Sequence, residues 1–459
     1  MASARTPEVR GQRDSVLRSW RRPLGFAAMN LAVRALYQLL LPLLCLGVAP
    51  FWLFKMARRG GFDKRLWQRL GIFDRPSDSE PRGVIYVHAV SVGEVMMALR
   101  LVREWLQLHP EERFVIATTT STGFQLAEQE APETVRVIYS PVDHSTVLRR
   151  TFRRFKPALI VLIDSELWPG LIDLADRDGL PVALVNARLS QRSARRFGKL
   201  KFLAAPILSK LKLVCLQVDE HVEVWSRLGV AQDVLEVTGS LKFDLEGSGA
   251  PRSRQREEFK EMLASFGSGR PVVLAASTHR GEEVLIAEAA LAIPGALAVV
   301  LPRHAERREA VRTDLERAGH EVVLRSCFKP PTDLGRAVLV VDSTGEQRDW
   351  IAHADVVVIG KSFLVRGGQN PVEAIAARVP VVCGPHMDNF EPLISELRDA
   401  GGIESTSTDA LESGIRSVLE SVPTRRARSK RALEVLERHR GATVRVIERL
   451  RRLLPLGRH

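Results

Sequence analysis

Short apolar segments rich in Val, Ile and Leu recur along this chain and alternate with stretches of helical periodicity. Two series are present, at 83–90, 113–120, 135–141, 158–164, 181–187 and 212–218, and at 271–277, 295–302, 320–324, 337–343, 355–362 and 379–385. Each segment is short enough to be a buried strand. Strands separated by helices form parallel sheets that helices cover on both faces. The pattern therefore predicts an α/β fold with two Rossmann-like domains.

A polar stretch separates the two strand series. The chain has 459 residues, more than one compact core normally holds, and DLEGSGAPRSRQREE (244–258) has the Gly, Pro and Ser content of a linker. We predict an N-terminal domain at 60–243, a C-terminal domain at 259–425 and a basic helix at 426–459. Two such domains facing a cleft form the GT-B architecture of glycosyltransferases, and ligands then bind beyond the carboxyl ends of the strands.

The N-terminal region contains an uncharged apolar run, ALYQLLLPLLCLGVAPFWLF (35–54). It is long enough to cross a hydrocarbon core of about 30 Å. We predict a membrane-anchor helix at 29–59, preceded by a disordered basic extension at 1–28. A buried hairpin and a cleaved signal peptide are alternatives, although no small-residue cleavage site follows. The basic amphipathic stretch at 56–72 suits an anionic lipid surface; an ordinary solvated helix is the alternative.

The charge balance is basic, with 67 Lys and Arg against 54 Asp and Glu, a formal +13. Such an excess suits a polyanion or an acidic membrane face, and simple solubility is the plainer explanation. We predict no nucleic-acid partner, because the chain has 3 Tyr and lacks a zinc-ligand cluster and an aromatic-basic sheet motif. The 4 cysteines lie far apart without a Cys-x-x-Cys pair, which argues against a disulfide framework or a zinc site.

Acidic side chains follow two strands of the first series. Glu94 comes after HAVSVG, in which Gly93 would allow a sharp turn, and Glu166 follows the strand at 158–164. A carboxylate facing the crevice can accept a proton from a sugar hydroxyl. From the local sequence alone, a helix-capping or helix-dipole role explains each acid at least as well.

Groups suited to a nucleotide follow the strands of the second series. Arg303, in LPRH, can clamp a phosphate, and an ordinary surface arginine is the alternative. In GKSFLVRGGQNPVEA (360–374) a Gly-Gly turn opens a helix, and the N–H groups at such an end favour a phosphate. Glu373, one turn inside, can accept hydrogen bonds from ribose hydroxyls. Lys242, at the domain junction, can neutralise charge on a departing phosphate.

Nine short segments stand in one order along the chain, each of them weak evidence alone: HAVSVGE, SELWP, NARLS, TGSLKFD, ASTHRGEE, LPRH, STGE, GGQNPVE and GPHMDNF. Together they resemble the motif series of the 3-deoxy-D-manno-octulosonic acid (Kdo) transferases, over roughly residues 29–440. The resemblance implies a GT-B fold and transfer of Kdo from CMP-Kdo to a lipid A precursor (lipid IVA) in lipopolysaccharide core biosynthesis.

The resemblance also implies how and where the reaction takes place. The anomeric carbon is inverted, and neither a cofactor nor a metal is required beyond the donor CMP-Kdo. The partners are the CMP-sugar, the lipid A precursor and the anionic surface of the bacterial inner membrane. A cytosolic sugar nucleotide and an N-terminal anchor lead us to expect the catalytic domains on the cytoplasmic side of that membrane.

Residue roles carry over by position. Glu94 matches the proton acceptor of the family, and Glu166 and Lys242 match residues that stabilise the transition state. The CMP contacts of the family match Pro302, Arg303, Thr344, Gly345, Glu346, Asn370, Pro371, Val372 and Glu373.

This chain departs from the commonest family pattern at a few positions. Gln369 stands where His is usual, Thr344 where Met is usual, and Lys361 where Gly is more frequent. The pair Asp164-Ser165 replaces Glu-Thr. These changes could alter the contacts with CMP, the choice of acceptor and the number of sugars added. Glu94, Glu166 and Lys242 are all present, so we keep the prediction of a transferase.

Three other functions fit parts of the sequence. A GT-B transferase that uses a UDP-sugar and a lipid acceptor would share the fold and the anchor. A GT-B sugar-nucleotide epimerase would share the fold, but it needs no apolar run at 35–54. A non-catalytic membrane-binding protein would not need Glu94, Glu166 and Lys242.

Overall fold

The computed structural model describes residues 37–41, 47, 64–76, 79–189, 198, 201–244 and 254–455. The chain folds into two compact units. The first ends at Val237 and includes the chain again from Val446, and the second is Thr238–Arg445. Each unit contains a seven-stranded sheet in which every neighbouring pair is parallel. The predicted pair of parallel-sheet α/β domains is therefore confirmed.

The sheet of the first unit has the strand order β3-β2-β1-β4-β5-β6-β7. Its strands are β1 (Ile85–His88), β2 (Phe114–Thr118), β3 (Arg136–Tyr139), β4 (Leu159–Ile163), β5 (Val182–Ala187), β6 (Leu213–Leu216) and β7 (Leu235–Val237). Its helices are α1 (Val92–Leu108), α2 (Ser121–Glu130), α3 (Ser145–Phe155), α4 (Pro169–Arg177), α5 (Lys201–Leu208) and α6 (Glu220–Arg227). The strand order reverses between β1 and β4, so ligands are expected at the carboxyl ends of these two strands.

The sheet of the second unit repeats this plan in the order β10-β11-β9-β8-β12-β13-β14. Its strands are β8 (Val272–Thr278), β9 (Leu297–Pro302), β10 (Glu321–Leu324), β11 (Ala337–Val340), β12 (Val356–Ile359), β13 (Val381–Cys383) and β14 (Ile403–Ser405). Its helices are α7 (Glu257–Ala264), α8 (Glu282–Leu291), α9 (Arg308–Arg317), α10 (Gln347–Ile351), α11 (Val372–Ala376), α12 (Leu393–Asp399), α13 (Leu411–Leu419), α14 (Val422–Glu437) and α15 (Ala442–Arg451), which continues past Arg445. The order reverses here between β8 and β12.

Burial explains why the strands read as continuous apolar runs. Every residue of β4 (LIVLI) is buried, as is every residue of β12 (VVVI), because helices cover both faces of a parallel sheet. All twelve predicted strands are present. The prediction missed β7 and β14, three-residue strands at the sheet edges whose residues are mostly half-exposed, so neither carries an apolar run.

The division between the units differs from the predicted boundary after residue 243. Ser240 and Asp244 both belong to the second unit. The N–H of Ser240 donates to His439 Nδ1 at 3.2 Å, and the carboxylate of Asp244 accepts from the N–H groups of Gly441 (2.8 Å) and Thr443 (2.7 Å). These hydrogen bonds attach the segment after Val237 to the second unit, and α7 begins inside the predicted linker.

The predicted basic helix at 426–459 is also different in the structure. It corresponds to most of α14 and to α15, and α14 contributes Ala432, Val435 and Leu436 to the core of the second unit. Residues from Val446 onward belong to the first unit, where Arg449 Nε pairs with Glu236 Oε2 at 2.5 Å. The Arg-rich segment therefore contains two helices, not one, and each of them buries an apolar face.

The predicted extension at 1–28 lies outside the described residues, as does most of the predicted anchor at 29–59. Across the residues that are described, no helix is long and apolar enough to cross a membrane. Two side chains of the apolar run can be placed. Tyr37 Oη donates to Asp143 Oδ2 at 2.7 Å, and Gln38 Oε1 accepts from the N–H of Ser145 at 2.9 Å.

Asp143 organises the beginning of α4. Its buried carboxylate accepts from the N–H groups of Gly170 and Leu171, both at 2.7 Å, in addition to Tyr37 Oη. Burial raises the pKa of Asp143 to about 6, although these hydrogen bonds favour the ionised form. A Cβ at Gly170 would lie 2.4 Å from the Asp143 carbonyl oxygen, so only glycine lets the helix start this close.

Asp143→Ala is expected to lower the free energy of unfolding by about 2 kcal/mol, because it leaves buried N–H donors of α4 without an acceptor. Urea denaturation of the full chain measures the change. Asp178→Ala, at the exposed carboxyl end of the same helix, is the matched control, with an expected change within about 0.5 kcal/mol. Equal effects of the two substitutions would contradict the capping role of Asp143.

Candidate active site

Glu94 lies in the first turn of α1, directly beyond the carboxyl end of β1. Ser91 is the N-cap, and the two residues form a capping box in which Ser91 Oγ accepts from the N–H of Glu94 at 3.4 Å. Glu94 Oε2 accepts from the N–H of Val90 at 2.7 Å, and Oε1 accepts from Ser91 Oγ at 2.7 Å. The capping alternative is therefore realised, and the same contacts fix the direction of the carboxylate.

Gly93 does not have the role that the sequence suggested. It lies inside α1, outside the set of glycines with a left-handed φ, and a Cβ there would meet nothing within 4 Å. Residues 89–91 connect β1 to the helix.

Glu166 lies beyond β4, the strand next to β1. Helix α4 begins only at Pro169, and Glu166 Oε2 accepts from the indole N–H of Trp168 at 2.9 Å. The capping alternative is wrong for this residue, because Asp143 supplies the acceptors for α4. Trp168 also packs edge-on against the His88 ring, with 5.1 Å between centroids, so the orientation of Glu166 depends on a buried aromatic contact.

A third carboxylate, Asp164, joins these two acids. It directly follows β4 with a left-handed backbone (φ 65°), and its Oδ1 accepts from Asn186 Nδ2 at 3.4 Å. Asn186 in turn accepts through its carbonyl oxygen from Gln217 Nε2 at 3.0 Å. A polar network thus links the carboxyl ends of β4, β5 and β6.

The three carboxylates influence one another. Burial raises the pKa of Glu94, and the charge of Asp164 raises it further, against hydrogen bonds from Ser91 and Val90. The pKa of Glu166 is raised by burial and then by the charges of Glu94 and Asp164. The direction of the shift is therefore the same for Glu94 and Glu166, with burial as the largest cause in each. A half-buried carboxylate with a raised pKa is a stronger proton acceptor than an exposed one.

His88, the last residue of β1, is a buried support for this site. Burial lowers the pKa of its imidazole to about 4, so the ring is neutral near pH 7. Its Nδ1 lies 3.4 Å from Ser140 Oγ. His88 is therefore a packing partner of Trp168 and not a charged neighbour of the acids.

The loop after β12 in the second unit is shaped by a buried acid. The Glu282 carboxylate accepts from the N–H groups of Lys361 (2.5 Å), Ser362 (3.1 Å) and Phe363 (3.1 Å). A Cβ at Gly360 would lie 2.4 Å from the Ser277 carbonyl oxygen. These contacts hold the loop against the carboxyl end of β8, at the point where the strand order reverses.

The predicted Gly-Gly turn is present. Gly367 and Gly368 have φ of 125° and 73°, and a Cβ at Gly368 would lie 2.4 Å from Met387 Sδ. Asn370 Oδ1 then accepts from the N–H of Val372 at 3.0 Å, and α11 follows with Pro371 as its N-cap. The turn therefore opens a helix as predicted, with the N–H of Val372 already hydrogen-bonded.

Glu373 is engaged by two neighbours in the second unit. Its Oε2 accepts from Gln347 Nε2 at 3.0 Å, and its Oε1 accepts from Arg348 Nε at 3.0 Å. Gln347 Oε1 also accepts from Ser277 Oγ at 2.6 Å. The half-buried carboxylate is thus held in place at the carboxyl edge of the sheet, with remaining acceptor capacity for a hydroxyl.

The other predicted nucleotide contacts follow β9 and β11. Pro302 ends β9 and is buried, and the next residue, Arg303, has an exposed side chain. After β11, Thr344 and Gly345 are exposed. The carboxylate of Glu346 accepts from Arg256 Nη1 and Arg325 Nη2, both at 3.2 Å, and from Ser343 Oγ. Its side chain is therefore occupied by structural ion pairs.

Lys242 lies in the second unit, on the segment that follows the division at Val237. Its Nζ donates to the carbonyl oxygen of Asn389 at 2.6 Å and lies 4.1 Å from the centroid of the Phe390 ring. Asn389 and Phe390 belong to the motif GPHMDNF, and the N–H of Asn389 donates to the carbonyl oxygen of Gly367 at 3.0 Å. Lys242 is thus connected through Asn389 to the Gly-Gly turn, which the sequence predicts to bind the nucleotide.

Several residues of the site were missed from the sequence. The pattern Ser91-x-x-Glu94 is a readable capping-box signature, but Asp164 and Asn186 are brought together only by the pairing of β4 with β5. Glu282 carries no local signal that separates it from its neighbour Glu283, which instead binds Arg307 at 2.8 Å.

Comparisons with known proteins support a single family. Residues 64–245 match the family model described as 3-Deoxy-D-manno-octulosonic-acid transferase (kdotransferase). The 3-deoxy-D-manno-octulosonic acid transferase of Haemophilus influenzae is 32% identical over 396 residues, which are 85% of this chain and 91% of that protein. The protein of the same description from Bordetella pertussis is 32% identical over 424 residues, 88% of this chain and 96% of that protein.

Solved structures support the fold. A glycosyltransferase from Rickettsia africae, 10% identical, has a TM-score of 0.54 and covers 82% of this chain and 100% of its own. The glycotransferase of kitacinnamycin, 16% identical, has a TM-score of 0.50 with the same coverage. The two parallel-sheet units thus resemble those of GT-B glycosyltransferases. Together with the identity over most of the chain, these findings show that the chain belongs to the family of 3-deoxy-D-manno-octulosonic acid (Kdo) transferases.

Proposed function

We propose that this glycosyltransferase moves Kdo from CMP-Kdo to a lipid A precursor, with Glu94 as the general base. The observation that supports the base most directly is its setting. Glu94 is half-buried at the point where the strand order reverses between β1 and β4, its carboxylate is held by a capping box, and burial raises its pKa. Such a group is placed and tuned to take a proton from a hydroxyl.

In the proposed step, the acceptor hydroxyl of the lipid attacks the anomeric carbon of Kdo and transfers its proton to Glu94. A new C–O bond forms on one face, and the bond between the anomeric carbon and the CMP phosphate oxygen breaks on the other. The electron pair of that bond leaves with CMP, so the configuration inverts. No covalent enzyme nucleophile is needed, because the donor already carries an activated leaving group.

We assign the donor to the second unit. Lys242 would neutralise charge that develops on the departing phosphate, and Glu166 would stabilise the transition state. Pro302, Arg303, the segment 344–346 and the segment 370–373 would contact CMP. For Glu346, whose carboxylate is engaged with Arg256 and Arg325, the contact would come from its backbone. Charge neutralisation by lysine lets the reaction proceed without a metal or a cofactor.

We further propose that the chain is anchored to the bacterial inner membrane, with both units on the cytoplasmic side. The apolar run at 35–54 and the formal charge of +13 support this placement. The 3-10 helix Lys64–Leu70 adds exposed Trp67 and Leu70, a combination that suits a lipid surface. Removal of residues 1–54 should move the protein from the membrane fraction to the soluble fraction.

Nucleotide choice tests the donor assignment. A GT-B transferase for a UDP-sugar has the same fold, so the fold does not distinguish the two. We expect CMP to raise the melting temperature of the purified protein, because it binds only the folded state, and UDP at equal concentration to have no effect. Protection by UDP and not by CMP would favour the UDP-sugar transferase.

Arg303→Ala is expected to weaken CMP binding by about 10- to 100-fold, since a charge-assisted hydrogen bond to phosphate is lost. Calorimetric titration of CMP measures the change. Arg317→Ala, an exposed substitution at the end of α9, should leave the affinity unchanged. Weakened binding of the lipid with intact CMP affinity would place Arg303 elsewhere in the reaction.

Asp164→Asn is expected to move the acid limb of the pH–rate profile to lower pH. Glu94 must be ionised to act as a base, so its raised pKa places this limb above the ordinary value for glutamate. The charge of Asp164 contributes to that rise, and Asn removes the charge while tolerating the left-handed backbone. A profile of kcat/KM against pH that does not move would separate Asp164 from the titration of the base.

A further inference from the structure

Lys361 stands in the loop after β12, two residues beyond the end of the strand. This is the carboxyl edge of the sheet, where the strand order reverses between β8 and β12. In doubly wound sheets, ligands bind beyond the strand ends at such a point. The family resemblance gives Gly at this position more often than Lys, so the lysine adds a positive charge where the commonest pattern has none.

The backbone of Lys361 is held in a conformation that disfavours a side chain. Its φ is 56°, a left-handed value that costs a residue with a Cβ roughly 1–2 kcal/mol relative to the right-handed form. The N–H donates to Glu282 Oε2 at 2.5 Å, and the carbonyl oxygen accepts from the N–H of Gly368 at 2.9 Å. Glycine would fit this turn without strain, so the lysine side chain has no conformational benefit.

The side chain runs along the Gly-Gly turn. A Cβ at Gly367 would lie 3.5 Å from Lys361 Cε, so the lysine stem occupies the space that the glycine leaves open. This turn leads directly into Asn370 and Glu373. The ammonium group therefore lies near the segment that we assign to CMP.

Two charged groups near Lys361, Glu282 and Arg307, already have partners. Burial lowers the pKa of His279, which follows β8; the charge of Glu282 raises it, and the charges of Lys361 and Arg307 lower it. Within the described part of the chain, no carboxylate forms an ion pair with the Lys361 ammonium. The acid that holds this loop, Glu282 at the start of α8, is occupied by backbone N–H groups. Arg307 is paired with Glu283, whereas the Lys361 ammonium is available to an anion.

We propose that Lys361 binds the phosphate of the donor nucleotide through its ammonium group. The inference rests on the proposed function and extends it, because it assigns a phosphate ligand that replaces a glycine of the family pattern. A lysine in this position would strengthen donor binding in a chain whose other departures, at Thr344 and Gln369, change the neighbouring contacts. The left-handed backbone at Lys361 is then a cost that phosphate binding offsets.

The test compares CMP with cytidine, which lacks the phosphate, in calorimetric titrations of the full chain. Lys361→Gly is expected to weaken CMP binding by about 10-fold, the size of one charge-assisted contact, and to leave cytidine binding unchanged. Lys361→Arg, which restores a cation, should recover most of the CMP affinity. The melting temperature of Lys361→Gly should equal or exceed that of the original chain, which excludes unfolding as the cause.

Arg378→Gly is the matched control. Arg378 is left-handed like Lys361 (φ 60°) but exposed where Lys361 is half-buried, and it precedes β13 and so lies at the opposite edge of the same sheet. This substitution removes the same charge and the same strain, and CMP affinity should not change. Unchanged CMP affinity in Lys361→Gly, or an equal loss for CMP and cytidine, would overturn the inference alone. Absence of CMP binding by the original chain would overturn the proposed function as well.

Discussion

Glu94→Gln is expected to lower kcat for Kdo transfer by about 10³-fold or more, within the range that a positioned general base contributes. The substitution removes the proton acceptor and little else. Gln at this position of a capping box can still accept from the N-cap backbone, so α1 should remain intact. We therefore expect CMP affinity and the free energy of unfolding to stay close to those of the original chain.

The matched control is Glu111→Gln, an exposed acid shortly after the carboxyl end of α1. It changes the net charge by the same amount and should leave kcat unaffected. Single-turnover measurements with CMP-Kdo and the lipid acceptor separate the chemical step from product release. Retention of the original rate by Glu94→Gln would refute the assignment of Glu94 as base and leave it with the capping role alone.

Lys242→Ala is expected to lower kcat by about 10²- to 10³-fold, the usual effect of removing one preorganised electrostatic contact to a developing charge. The ammonium group donates to the Asn389 carbonyl oxygen and lies over the Phe390 ring. That position is preorganised within the second unit, so little reorganisation is needed when the phosphate becomes charged. The loss should appear in kcat more than in the KM for CMP-Kdo.

Lys260→Ala provides the comparison for Lys242. Lys260 is an exposed residue of α7 that pairs with Glu257 at 3.0 Å, and its removal should change neither kinetic constant. A Lys242→Ala enzyme with unchanged kcat and a raised KM would show that Lys242 serves ground-state binding of the donor. It would then have no part in leaving-group departure.

The fold could be predicted largely from the sequence because parallel strands are buried on both faces. This burial turns each of the twelve predicted strands into an apolar run that is distinct from the helices around it. The edge strands β7 and β14 lack that signal, since most of their residues are half-exposed and need not be apolar. The division at Val237 could not be predicted, because it depends on Asp244 and Ser240 reaching residues nearly 200 positions later.

The candidate site could be predicted in outline only. Glu94 and the Gly-Gly turn are visible because each follows an apolar run at a known distance. The sequence does not show that the charge of Asp164 raises the pKa of Glu94. Nor does it show that the indole N–H of Trp168 donates to Glu166, or that the Glu282 carboxylate accepts from the N–H of Lys361. These relations arise from pairing between strands that are distant in the chain, and so they require three-dimensional structure.

Two predictions made from neighbouring residues alone are wrong, because they could not take contacts between distant segments into account. The sequence predicts a turn at Gly93, although helix α1 has already begun there, and it allows Glu166 as a helix cap that Asp143 in fact supplies. For Glu166, another acid has the role that was expected, whereas among the residues that the structure describes no glycine takes the role expected of Gly93. Residue type and spacing therefore indicate a function at a strand end more reliably than they identify the residue that performs it.

The central claim, transfer of Kdo from CMP-Kdo to a lipid A precursor, is tested most directly by the product. Purified full-length protein is incubated with CMP-Kdo and a tetra-acylated lipid A precursor, and the lipid is analysed by mass spectrometry. We predict that the lipid gains the mass of one or more Kdo residues, and that the Glu94→Gln enzyme leaves it unchanged. A lipid whose mass stays the same with the original enzyme, or increases only when a UDP-sugar is supplied, would contradict the account.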